Sequence, residues 1–199
     1  MILVTGTPRS GTLTVSWLLR QHGYDCPHER LGKHGTVSCY YVARWREIPW
    51  AGKTLSPHEG EQCLPSGRFN RNILLVRRPL ACIASMSTIV NYPHIEWMQR
   101  HGIIPDDMPE GRSRQNKIRK LMWAWYNTNE RLAKYELLRT NKIQEDWERC
   151  FGWRLQMRVP VKHRSSGYRK APKLTWRDLD RIDSNLTEMI RGMSHALDL

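Results

Sequence analysis

Ile2-Leu3-Val4-Thr5-Gly6-Thr7-Pro8-Arg9-Ser10-Gly11-Thr12 decides the fold. Ile2-Leu3-Val4 is short, apolar and β-branched at two positions, and it runs into a turn containing Gly and Pro. A buried parallel strand reads this way. Helical spacing follows: Leu13, Trp17 and Leu18 share a face, and Gly23 stops the helix. Such a strand-loop-helix turn aims backbone N–H groups and a helix N-terminus at an anion. Gly6 and Gly11 have the spacing of the glycines in G-x-x-x-x-G-K-[ST], but Thr12 stands where the Lys belongs. Arg9 can supply the missing positive charge, and Ser10 and Thr12 add hydroxyl donors.

Outward from this loop, a second short strand is expected at residues 24–26. That makes a βαβ start, with a right-handed crossover and a parallel sheet. From 27 to 71 the pattern is weak and broken by Gly and Pro; two short elements are expected, near 37–43 and near 63–64. Ile73-Leu74-Leu75-Val76 is the clearest internal strand. Pro79 suits a first helical position, and a helix over 80–90 turns Ile83 and Met86 inward. Residues 92–112, with Pro93, Pro105 and Pro109, read as irregular. A long helix is predicted over 113–134, a short one over 145–151 stopped at Gly152, a basic loop over 154–173, and a last helix or helix pair over 175–197. With no repeats and no linker, the prediction is one α/β domain spanning 1–199.

A second basic constellation sits at Arg77-Arg78-Pro79, with Ser85 eight residues after Arg77. A strand ending in Arg puts a guanidinium at the carboxyl edge of the sheet, where open α/β sheets bind ligands. Ser85 falls about two turns into the next helix, within reach of the same anion. Two separated phosphate sites suit a ligand with phosphate at both ends.

The whole chain agrees with an anionic ligand. Its 32 Lys and Arg outnumber 19 Asp and Glu, for a formal charge of +13. The cysteines Cys26, Cys39, Cys63, Cys82 and Cys150 show no C-x-x-C and no zinc spacing, so they read as reduced thiols. No run reaches membrane-spanning or signal-peptide length, and the expectation is a cytoplasmic protein with no metal and no membrane span.

Thr7-Pro8-Arg9-Ser10-Gly11-Thr12 resembles the 5′-phosphosulfate loop, P-[KR]-[SG]-G-T-[TS], of the sulfotransferases that use 3′-phosphoadenosine 5′-phosphosulfate (PAPS). Leu75-Val76-Arg77-Arg78-Pro79 through Ser85 resembles their 3′-phosphate motif, R-D-P followed by Ser at this spacing. Weaker likenesses to small bacterial and viral members lie in Trp123–Asn127 with Tyr135–Leu138, in Trp147–Gly152, in Leu174–Leu179 and in His28-Glu29-Arg30. Two positions depart from the pattern: Leu13 replaces Thr or Ser, and Arg78 replaces Asp.

The resemblance implies a three-layer α/β/α fold around a central parallel sheet, of the P-loop NTPase-like sulfotransferase kind. It implies sulfonate transfer from PAPS to an acceptor hydroxyl or amine, leaving adenosine 3′,5′-bisphosphate (PAP). Arg9, Ser10, Gly11, Thr12 and Leu13 would hold the 5′ side, and Arg77 and Ser85 the 3′-phosphate. Glu29 is the first choice for the base, His28 the second and His58 a third. Arg164, in a late basic cluster with Lys162, His163, Arg169 and Lys170, would close over the 3′ side. Trp45 and Trp50 are candidates to stack on adenine or on a sugar acceptor. The acceptor is a small molecule or glycan that the sequence does not identify. Two other classes compete. A P-loop small-molecule kinase would need a Walker Lys and a strand-end Asp, and neither is found. A non-catalytic nucleic-acid binder fits the charge, but the sequence shows no helix-turn-helix, zinc-finger or RRM signature.

Overall fold

Strand β1 (Ile2–Thr5) lies between β2 (Gly35–Ser38) and β3 (Arg71–Val76), and β4 (Glu136–Arg139) completes the sheet beyond β3. All three pairings are parallel, with Val4 opposite both Val37 and Ile73, and Leu75 opposite Leu138. This computed structural model describes residues 1–29, 31–39, 69–90, 92–156 and 170–199. Among them are four strands and seven helices, so the protein is α/β with a parallel sheet. None of the described helices is long and apolar enough to cross a membrane.

The chain divides into two compact units. The first takes Met1–Val76 and Leu132–His163. It holds the sheet, helix α1 (Thr12–Gln21) and helix α5 (Ile143–Phe151). Both helices cover one face of the sheet. Val15, Leu18 and Leu19 of α1 and Ile143, Trp147, Cys150 and Phe151 of α5 form one cluster with Val4, Val37, Ile73, Leu75 and Leu138. Leu3, Thr36 and Leu74 point to the opposite face and are buried as well. That two-sided burial explains why the strands read as unbroken apolar runs instead of alternating. Asp146 of α5 is buried and takes three hydrogen bonds from Arg139 at the end of β4 and one from Arg149. Burial works against its charge, but those hydrogen bonds prevail and hold its carboxyl below the usual range.

The second unit takes Arg77–Arg131 and Arg164–Leu199. It contains α2 (Pro79–Ile89), α3 (Tyr92–Arg100), most of α4 (Arg114–Leu132), α6 (Trp176–Ile182) and α7 (Ser184–Ala196). Trp97 and Trp125 are buried in it, and the Trp125 indole N–H donates to the Arg77 carbonyl at 3.1 Å. Thr175 and Asp178 make a capping box that starts α6.

Three expectations change. The second strand is β2, at the start of the 37–43 region, and not residues 24–26. There Asp25 is engaged in a loop: its N–H donates to His34 Nδ1 at 2.9 Å and its carboxylate accepts from the Lys33 N–H at 2.7 Å. Gly35 makes β2 possible, because a Cβ there would sit 1.9 Å from the Ile2 carbonyl oxygen. Residues 92–112 are not irregular throughout, since α3 fills 92–100. Pro93 is its second residue, where no intrahelical N–H is required. Strand β4 was not expected as a strand. Only Leu137 and Leu138 are apolar in it, and its charged ends are paired, Glu136 with Arg71 and Arg139 with Asp146. The expected element near 63–64 lies outside the described residues.

Candidate functional site

The sheet order reverses between β1 and β3: the chain goes from β1 out to β2, then returns past β1 to β3. Ligands of open α/β sheets bind beyond the carboxyl ends of the strands at such a reversal. The loop of residues 6–11 follows β1 there, and Arg77 follows Val76, the last residue of β3.

Close approach and backbone conformation shape the loop. A Cβ on Gly6 would lie 2.0 Å from the Leu75 carbonyl oxygen, so only glycine lets the chain cross β3. Arg9 is left-handed at φ 70°, which costs a non-glycine residue about 1–3 kcal/mol and is characteristic of functional loops. The Ser10 N–H closes the turn onto the Thr7 carbonyl at 3.0 Å. Gly11, at φ 108°, is the N-cap of α1 and offers no side chain to the first N–H groups. The first turn of α1 carries no acidic residue either. Its positive end is therefore left to an outside anion. Two hydroxyls at this end of β1, Thr5 Oγ1 and Ser10 Oγ, are buried with no hydrogen-bond partner. A buried hydroxyl without a partner is costly. A ligand oxygen would satisfy Ser10, so the loop residues fit a phosphate or sulfate group.

His28 and Glu29 stand beside this loop in the same unit. His28 makes an isolated parallel bridge to Val37, and the Glu29 N–H donates to the Val37 carbonyl at 3.0 Å. These bonds fix the segment against β2. His28 Nε2 lies 2.9 Å from Thr12 Oγ1 and 3.4 Å from Glu29 Oε1. Burial pushes the imidazole below its ordinary pKa, and the Glu29 carboxylate opposes that shift. The ring is thus neutral at neutral pH. Glu29 is left-handed at φ 54°. Its carboxylate accepts hydrogen bonds from Ser38 Oγ, from the Cys39 N–H at 3.0 Å and from Cys39 Sγ at 3.1 Å. Ser38 and Cys39 escaped sequence reading because β2 was expected elsewhere; the short polar pair at its carboxyl end is the signal a correct placement would have exposed.

A groove of about 500 Å³ opens between the outer face of α1 and this segment, lined by Leu13, Ser16, Trp17, Arg20, Pro27, His28 and Glu29. Thr140, after β4, is a further neighbour of the loop: its Cγ2 would lie 3.2 Å from a Cβ on Gly11.

In the second unit, Arg77 and Ser85 line one hollow of about 470 Å³ with Leu80, Ala81 and Ala84 of α2 and residues 171–175. The two residues are thus brought to one hollow. Lys173 in the same wall adds a charge that sequence reading did not single out. Arg164, His58, Trp45 and Trp50 lie outside the described residues. Cys26 and Cys150 offer no ready thiolate, since burial pushes their thiols up to about 12 and about 11. Among the described residues no cluster of His, Cys, Asp and Glu has the arrangement of a metal site. Compared with known proteins, the chain matches no family model, no curated protein and no solved structure.

Proposed function

We propose that this protein is a PAPS-dependent sulfotransferase with the three-layer P-loop-like fold. The loop carries the reading: it is held by Gly6 against β3, turned through a left-handed Arg9, left uncapped at α1 and lined by the unpartnered Ser10 hydroxyl. Backbone N–H groups at residues 11–13, the Ser10 and Thr12 hydroxyls and the Arg9 guanidinium take the 5′-phosphosulfate. Arg77 and Ser85, with Lys173 beside them, take the 3′-phosphate. The +13 charge suits a ligand with anions at both ends.

PAPS supplies the sulfonate group. The acceptor oxygen or nitrogen forms a bond to sulfur as the bond from sulfur to the 5′-phosphate oxygen breaks. The acceptor proton passes to Glu29, and adenosine 3′,5′-bisphosphate leaves. Arg9 and the end of α1 stabilise the charge that grows on the leaving phosphate. Ser38 and Cys39 hold Glu29 in place, and neutral His28 adjoins both the Thr12 hydroxyl and the base. Geometry of this kind lets positioning supply much of the rate.

Adenosine 3′,5′-bisphosphate at a hundredfold excess over its Kd should raise the melting temperature by about 5–10 °C. Arg9→Ala should abolish the rise, Arg77→Ala should cut it by about half or more, and Glu29→Gln should stop PAPS turnover, read by mass spectrometry, while keeping the rise. No rise with the wild-type protein overturns the reading. Magnesium-dependent ATP consumption would make the protein a kinase instead.

A further inference from the structure

We propose that the groove along α1 selects an amphipathic anion as the acceptor: an aromatic or alkyl body with a hydroxyl at one end and a carboxylate or phosphate at the other. The assignment rests on the sulfotransferase reading and names the substrate class of that site. Leu13, Trp17 and Arg20 follow one another at helical spacing and line the same groove. Leu13 is 54% exposed, among the few large apolar side chains left open to solvent. Trp17 is half-buried beside it, so an apolar or aromatic body has a surface to lie on.

The groove has a direction. His28 meets Thr12 at the start of α1, whereas the Cys26 carbonyl accepts from Ser16 Oγ a turn further on. Segment 26–28 therefore runs back along the helix toward the loop, and His28 and Glu29 mark the reacting end. Arg20 marks the other end, seven residues from Leu13, or about 10 Å along the axis. It is exposed, and among the described residues no carboxylate pairs with it. A guanidinium beside an apolar wall recognises a carboxylate or phosphate, and it opposes a cationic tail. An acceptor that spans the groove therefore places its hydroxyl at Glu29 and its anion at Arg20.

The test uses three probes of equal length: ω-(p-hydroxyphenyl)pentanoate, its methyl ester and the corresponding ω-amine. Binding is read by ligand-observed NMR without donor, and turnover with PAPS by mass spectrometry. The pentanoate should bind about tenfold or more tightly than the ester, with the amine weakest. Arg20→Gln should erase the preference, and Trp17→Ala should weaken all three probes alike. Equal binding of the three, or a preference that survives Arg20→Gln, overturns the proposal. Adenosine 3′,5′-bisphosphate is titrated into the wild-type protein in parallel. If it fails to bind while the pentanoate preference holds, the donor reading and the acceptor role fall, and only the groove's recognition of an amphipathic anion stands. If it binds and the preference is absent, the groove assignment falls alone.

Discussion

The loop after β1 and the hollow beside α2 both carry an arginine, but they are built by different means. The loop is a backbone device. Its shape depends on Gly6 crossing the Leu75 carbonyl, on left-handed Arg9 and Gly11, and on the uncapped start of α1. The hollow is a side-chain device, in which Arg77, Ser85 and Lys173 stand around small apolar residues of α2. Backbone devices tolerate almost no substitution, whereas side-chain devices degrade one contact at a time.

The largest expected effect follows at Gly6. Gly6→Ala forces a Cβ into the Leu75 carbonyl, at 2.0 Å, and the sheet must give way. We expect a stability loss of about 3 kcal/mol in urea unfolding, together with loss of bisphosphate binding. Arg77→Ala, the strongest blow to the hollow, should lower bisphosphate affinity by about 10- to 100-fold, with the urea midpoint falling much less than for Gly6→Ala. If both variants lose stability equally, the contrast between the two sites is wrong.

A sharper test is Ser10→Ala, which should act in opposite directions on folding and binding. It removes a buried hydroxyl without a partner, so the ligand-free protein should melt about 1–3 °C higher. Bisphosphate should bind several-fold more weakly. Lys173→Ala in the hollow should show only the second effect, about two- to five-fold by titration calorimetry.

The smallest effect separates two histidines. Burial lowers His94, in α3, to about 4, while Glu29 partly restores His28. Both are protonated more readily in the unfolded chain. Their contribution to stability is thus complete above the ordinary imidazole value of about 6.5 and is lost as pH falls toward the folded values. NMR titration should find His94 titrating near pH 4 and His28 below its ordinary value. Glu29→Gln should move His28 further down and leave His94 alone.

The same contrast governs how much the sequence disclosed. The loop was legible because glycine, proline and arginine at fixed spacing between a strand and a helix have few other uses. Arg77 and Ser85 were legible because an Arg just after a buried strand, followed by a Ser about two turns into the next helix, is a readable local pattern. Strand β2 was misplaced because Gly35-Thr36-Val37-Ser38 has weak local preference and depends on pairing with distant β1. Ser38 and Cys39, the partners of Glu29, were lost with it. Strand β4 and the hidden α3 also owe their form to tertiary pairing and to a proline tolerated in a first turn. Lys173 reaches the hollow through the path of the chain before α6, and no local pattern announces it.

The fit of Gly6 against Leu75 also sets an order of assembly. On the ribosome the loop is made before the strand that supports it, which comes some seventy residues later, at about 5–20 residues per second. Parallel pairing across such a separation is slow. The loop therefore waits, unformed, for β3 to arrive, and a nascent chain halted before residue 76 would carry residues 6–11 without the strand that Gly6 crosses.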